Sequence, residues 1–553
     1  MDYRSILNNL FSRFHGCFAL LVISSLAITG CTKRETRVEV GNREQVFHVG
    51  NGGEPSDLDP HTTMGDIEHN IMMSIYEGLV IGDPKTVEPR PGVAERWDIS
   101  EDGLIYTFHL RKNARWSNGD PVTAHDFRAS FQRALMPTLG NQYSYMLFPV
   151  KNAEAFNTGK ITNFNEVGFK VFDDHTLQVT LQSPTPYFLS LIIHNSWFPV
   201  HVPTIKKHGA IDSRNNRWTR PQNIVGNGAF KVKEWKVNSH ILVEKNPNYW
   251  GADKVRLNKI YFYSVESGDV EERMFRAGQI HTMKECPQPK IEVYKKNRPD
   301  LINIYPSLIT YYYRINVTRP PFTDKRVRKA LAMAIDRQSL VENVTRGGQL
   351  PAYYLTPPDT AGYTCQSPIS ENIDEARKLL AEAGFPNGQN FPRFELLFNT
   401  LESHRSIAEA IQQMWKKNLN IDVTLRNEEW KVYLDSTHRM DYFVARAGWG
   451  GDYMDPNTFL DLWMTGGGNN ETGWSSSEYD RLIKFAGSIR DKERRYEAFQ
   501  KAEAILMDEL PIIPIYFYTR PRLIHPSVKG YYPNLLDQHP FNSVYLEPQE
   551  ARR

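Results

Sequence analysis

The feature that most constrains this chain is an apolar run over residues 17–28 (CFALLVISSLAI), interrupted only by Ser24 and Ser25. A helix crossing a bilayer core of roughly 30 Å needs about 20 apolar residues, so this run is too short to span. No other stretch among the 553 residues reaches that length. The run follows Arg4 and Arg13, opposed only by Asp2, and a weakly positive leader before a short apolar segment reads as a secretory signal. Residues 1–30 are therefore expected to be removed, and the rest to fold in water outside the cytoplasm.

The leader closes on Ile28-Thr29-Gly30-Cys31, which resembles a bacterial lipobox. Small residues before the cysteine admit the peptidase, and the Cys31 thiol accepts a diacylglycerol. One acyl chain holds a protein only marginally, whereas two or three hold it firmly. Cys31 is thus expected to be a membrane anchor, with residues 31–44 as a polar tether. The full chain carries a formal charge of +2; removing two basic residues and one acid with the leader leaves +1. That balance gives no electrostatic footprint for nucleic acid. A mature body of about 520 residues exceeds what one core supports, so two or three lobes are expected. Cys286 and Cys365 are far apart and form no CxxC or zinc quartet; an oxidising compartment permits one disulfide between them but nothing requires it, and two free buried thiols are expected.

The pattern along the chain is mixed α and β, without repeats. Alternating segments predict strands over 45–50, 105–110, 177–181, 230–235, 240–244 and 257–265. Helical spacing marks 68–79, a helix capped by Thr123 with Asp126 in a capping-box position, 324–334, and 373–383 closed by Gly384. The run strand 394–398, helix 404–417, strand 421–426 implies a parallel βαβ unit. Helices over 480–486 and 491–507 and an aromatic strand over 512–518 follow.

Searches for catalysis fail: there is no HExxH, GxSxG, P-loop, or GxGxxG after a strand. No catalytic residue, metal site or cofactor is assigned. The positive signal is aromatic, since 66 of 553 residues are Phe, Trp or Tyr. Most must fill cores, but the segment 445–453 (ARAGWGGDY) places Arg446 and Asp452 on either side of Trp449 among glycines. Glycine lets a ligand backbone approach closely. A carboxylate pairs with an ammonium, a guanidinium with a carboxylate, and an indole walls an apolar pocket, a set that suits a zwitterion such as a peptide.

Several ordered segments carry a family resemblance. They include Leu58-Asp59-Pro60-His61, Tyr76-Glu77-Gly78-Leu79, Trp116-Ser117-Asn118-Gly119, Asn246-Pro247-Asn248-Tyr249-Trp250 and the loop Arg446 to Tyr453. Together, from about 45 to 545, they resemble the oligopeptide-binding proteins of bacterial ABC peptide importers, the family 5 extracellular solute-binding proteins. The resemblance implies an α/β, two-lobed periplasmic-binding-protein fold of type II, in its large peptide-binding subclass. Lobe I would comprise 45–76, 203–308 and 520–553, an inserted domain II 77–202, and lobe III 309–519. Crossovers near 308 and 519 would form a hinge.

By the same resemblance Asp452 would meet the peptide's α-ammonium, and Arg446 and His404 its carboxylate at different peptide lengths. Trp430, Trp449, Tyr143, Tyr518, Asn399 and Tyr312 would supply walls and backbone contacts, with Gly448 and Gly450 in the same strand. The sequence also departs from the family. A disulfide of enteric members would join positions occupied here by Ile309 and Gly450, so it cannot form. A lysine that meets the shortest peptides falls on Thr345, beside Arg346. The strand of lobe I that pairs with peptide falls on Thr63-Met64-Gly65-Asp66, where Met64 and Asp66 are unusual.

The expected protein is a monomeric, non-enzymatic receptor for peptides of about two to five residues that delivers them to a membrane permease. A receptor for murein peptide, glutathione or haem on the same fold, and an exported peptidase or chaperone-like protein, are the alternatives.

Overall fold

The computed structural model describes residues 35–547 apart from Met64 and Asn215. The leader, Cys31 and Met64 lie outside the described residues. Of the residues expected as a tether, Arg37–Glu44 form a helix. Thr36 caps it and Glu39 returns the bond to the Thr36 amide, a reciprocal capping box that satisfies two otherwise orphaned donors. Its Val38, Gly41 and Asn42 are buried.

Three sheets of four or more strands organise the described residues. The first has the order 46–50, 259–263, 240–245, 230–236, with only its first pair parallel. The second, from 94–99, 105–110, 176–180 and 169–173, is antiparallel and packs on the helix Ala124–Leu135. The capping box of that helix, Thr123 with Asp126, forms as its spacing predicts. The third sheet has six strands in the order 350–351, 512–523, 302–315, 444–450, 394–399, 423–428. Its last three strands run parallel, and helix Glu402–Leu419 crosses over between 394–399 and 423–428 as the βαβ reading requires. That helix buries His404, Ile407, Ala408, Ile411, Trp415 and Leu419, one stripe at helical spacing.

Each sheet has its own apolar core. Phe47, Ile71, Phe230 and Ile260 belong to the first, Phe108, Phe127 and Trp197 to the second, and Tyr313, Trp415 and Phe499 to the third. The long strands Ile302–Ile315 and Ile512–Leu523 pair over 302–306 and again over 310–314, with a register break between Pro306 and Thr310. Proline cannot donate to a ladder, and a bulge there bends both strands. Within the break Leu308 bonds outside the pair, donating to the Leu535 carbonyl and accepting from the Gly451 amide.

Two expected elements differ. The helix predicted over 68–79 spans Asp66–Ile75. It stops because the Asn227 side chain clamps both backbone groups of Glu77, which holds Tyr76 and Glu77 extended. Of the strand expected at 63–66, Gly65 is instead the helix cap and Asp66 the first helical residue. An acid is favoured there by the helix dipole, and Asp66 also faces Lys284 at 3.8 Å and Arg520 at 3.4 Å. Cys286 and Cys365 are free and buried, as expected.

A buried ion pair links the first two cores. Arg133 donates to both Asp59 oxygens, at 2.9 and 2.6 Å, and to the Ile211 carbonyl. Burial alone would raise the Asp59 carboxyl, yet the Arg133 charge holds it below the usual carboxylate range. Removing one partner leaves a buried charge uncompensated. Asp59→Ala is therefore expected to destabilise the protein by about 3–5 kcal/mol, read as a lower urea midpoint for the ligand-free protein. An unchanged midpoint would show that Arg133 is not desolvated.

Candidate functional site

The strand Val444–Gly450 sets the geometry of the site. On one side it pairs with the long strand from Ile309↔Gly450 to Ile315↔Val444. On the other, its parallel neighbour reaches only Val444 and Ala445. Among the described residues no strand covers the remaining edge from Arg446 to Gly450, which leaves main-chain groups able to accept an added strand. Ile309 and Gly450 are direct cross-strand partners, and a Cβ built on Gly450 would sit 3.4 Å from Ile309 Cγ1.

Alternation puts Arg446, Gly448 and Gly450 on one face and Ala447 and Trp449 on the other. Gly448 stands opposite Tyr311, so the Arg446 guanidinium can lie over the Tyr311 ring, 4.8 Å from its centroid. Its Nη2 donates to Tyr518 Oη at 3.3 Å and its Nη1 reaches Asn399 Oδ1 at 3.5 Å, while Nε is buried without a partner. Among the described residues no carboxylate pairs with it. Arg314, which follows Tyr313, the cross-strand partner of Arg446, is by contrast paired with Glu471. His404 lies nearby, its ring 5.5 Å from Tyr311. Burial, and then the Arg446 charge, push His404 down to about 3, so it is neutral, and its buried Nδ1 has no partner.

Asp452 stands at the opposite end of this stretch. Its carboxylate accepts from Tyr145 Oη at 3.3 Å, and no cation pairs with it among the described residues. Burial pushes it up to about 6. Tyr143 packs against Tyr145 and, at 4.7 Å, on His194.

Three hollows follow the strand. The first, about 270 Å³, is lined by Asp452, Gly450, Tyr143, His69, Asp66 and Arg520. The second, about 480 Å³, shares Asp452 and adds Trp449, Tyr145, Tyr187 and Asp461. The third, about 210 Å³, shares Trp449 and adds Arg446, Gly448, Trp430 and Tyr312. Trp430, half exposed, stacks on Tyr433. Tyr312 is buried edge-on against Trp463. A separate apolar void beside Glu77, about 40 Å³, has room for little more than a few waters.

The residues singled out in the sequence thus gather in three places. Arg446, His404, Asn399 and Tyr518 meet at one end, Asp452, Tyr143 and Gly450 at the other, and Trp449, Trp430, Tyr312 and Gly448 between. Sequence reasoning missed Tyr145, whose position two residues after Tyr143 was the available signal. It also missed Asp461 and Arg520, which carried none. No group of three or more metal-ligating side chains occurs among the described residues.

An open strand edge at the C-terminal ends of parallel strands, between separately cored lobes, defines an α/β binding protein of the two-lobed type II periplasmic class. Comparison with known proteins agrees. The profile of the bacterial extracellular solute-binding proteins, family 5, matches residues 88–471. The periplasmic oligopeptide-binding protein OppA of Salmonella typhimurium is 40% identical over 513 residues, 91% of this chain and 92% of that protein. The periplasmic murein peptide-binding protein MppA of Escherichia coli is 37% identical, covering 93% and 95%. Among solved structures, MppA in an unliganded open form superposes with a TM-score of 0.82 at 36% identity, covering 91% and 97%. Haemophilus influenzae OppA in complex with RPPGFSPFR gives 0.70 at 35% identity, covering 91% and 99%. The chain belongs to the family 5 bacterial extracellular solute-binding proteins.

The proximity of Arg446 to His404 has a direct test. In Arg446→Gln the His404 ring should titrate at higher pH than in the unaltered protein, followed by NMR of the imidazole. An unmoved titration would show that the two groups are screened from each other.

Proposed function

We propose that this chain is the substrate receptor of an ABC importer and captures short peptides, about two to five residues long, in a cleft that closes over them. The observation that carries the reading is the pair Asp452 and Arg446. Both are partly buried, of opposite charge, and without a countercharge among the described residues, and an open strand edge runs between them. Isolated buried charges are costly unless compensated, and a zwitterionic peptide compensates both. Six residues of extended chain span about 20 Å, enough for a peptide of up to about five residues once the reach of the arginine is counted. Asp452 would take the ammonium, and Arg446 and His404 the carboxylate at different lengths. Asn399, Tyr518, Tyr143, Tyr312, Trp430 and Trp449 would wall the peptide, whose side chains would project into wet hollows tolerant of many sequences.

The lobes would divide as the resemblance implies, 45–76 with 203–308 and 520–553 against 309–519, with 77–202 inserted. The irregular pairing between Pro306 and Thr310 supports a hinge there. The protein would act as a monomer without cofactor or enzymatic activity. It would be held at the membrane by acylated Cys31, which raises its effective concentration beside the permease. A dedicated murein-peptide receptor is the second reading, favoured by the likeness to MppA. Native mass spectrometry of the purified protein, followed by displacement with free tripeptides, separates the two.

Calorimetry should show a free-amine tripeptide binding at least 100-fold tighter than its N-acetylated form, because an unpaired buried carboxylate costs on the order of 3–5 kcal/mol. Equal affinities would remove Asp452 from its role. The pH dependence has a definite sign. The free protein holds Asp452 at about 6, and an ammonium favours its ionised form, so affinity is full above that pH. It should fall by up to about tenfold per unit below it. Cys31→Ser is expected to abolish acyl labelling and release the protein from membranes; continued labelling would assign the anchor elsewhere.

A further inference from the structure

The second hollow contains more negative charge than an ammonium-binding carboxylate requires. Asp461 lines it together with Asp452. The Asp461 Oδ2 accepts from the Asn457 side-chain amide at 2.8 Å, and no cation pairs with it among the described residues. Asp455, the third acid of this segment, is already committed to Arg495 at 2.5 and 2.6 Å. Burial and then the charges of Asp452 and Asp455 push Asp461 up to about 7. A carboxylate kept there without a countercharge is a destabilised group awaiting one.

The walls fit a cation on a flexible apolar stem. Tyr145, Tyr187 and Trp449 line the hollow, and aromatic faces attract ammonium and guanidinium groups. Met146 and Leu191 add apolar surface for methylenes. The Trp449 indole N–H is enclosed and has no acceptor among the described residues. At about 480 Å³ the space admits a lysine or arginine side chain with water around it.

We propose that Asp461 makes this receptor select peptides bearing a lysine or arginine at one of the first two positions, the side chain entering the hollow that Asp461 shares with Asp452. The proposal rests on the peptide reading above and deepens it. Position follows from Asp452, which borders this hollow while holding the ammonium, so the entering side chain leaves the backbone close to the N-terminus. Successive side chains of an extended peptide point to opposite faces, so one of the two positions should be read and the other not.

The test uses the mature protein and calorimetry with tri-alanine, its three single-lysine derivatives and the matching norleucine peptides. Lysine should bind at least tenfold tighter than norleucine at one of the first two positions and without preference at the third. In Asp461→Asn that ratio should fall within twofold. In the unaltered protein it should shrink as pH drops from 8 to 5. The ratio in the unaltered protein needs no variant, so the proposal remains open to refutation if Asp461→Asn does not fold. Tripeptides that bind with no lysine preference, or a preference that survives Asp461→Asn, would overturn the role of Asp461 alone. Failure of every tripeptide to bind would overturn the peptide reading itself and this proposal with it.

Discussion

Two strands, Ile302–Ile315 and Ile512–Leu523, serve two cores at once, and the rest of the architecture depends on that sharing. Their first paired stretch packs with Cys286, Ile291 and Leu301, and their second with the large core around Tyr311, Tyr313 and Ile513. A continuous ladder would weld these bodies together. The break after Pro306 instead sends the Leu308 backbone to Leu535 and Gly451, so the join has few ladder bonds of its own. A bend there would leave both paired halves intact, as the proposed hinge requires.

The same strands place the charges. The Val444–Gly450 strand is held by the long strand on one edge and abandoned by its parallel neighbour after Ala445. Arg446 and Asp452 therefore lie along an edge that is accessible to another chain yet walled by protein on its faces. Partial burial without a countercharge makes both groups energetically demanding, and in the proposed function one end would take a cation and the other an anion, at a spacing of extended backbone. His404 adds a neutral imidazole beside the permanent charge of Arg446.

Not every buried charge in the molecule has this meaning. Arg133 is as deeply enclosed as any group in the protein, but Asp59 satisfies it, and Arg495 is satisfied in the same way by Asp455. These pairs join segments distant in sequence and leave nothing for a ligand to do. The distinction between structural and binding charges lies in the presence of a partner, which is a property of the fold and not of the residue type.

The local order of elements was legible in the sequence because it depends on near neighbours. The alternation of residues 105–110, the Thr123–Asp126 box and the strand–helix–strand run ending near 428 formed as their patterns required. The segment around Trp449 was legible as chemistry, since glycines, an arginine and an aspartate occur together. What the sequence did not contain was long-range. The helix after Gly65 stops at Ile75 because Asn227 reaches Glu77 from 150 residues away. The helix of residues 37–44 exists because a cap and a buried face outweigh its polar composition. Asp461 gains meaning only as a wall of the hollow it shares with Asp452. The sequence by itself determined which segments are helix or strand and which residues can carry charge recognition. Only the tertiary structure decided which charges are left unpaired, because pairing depends on contacts between segments that periodicity does not encode.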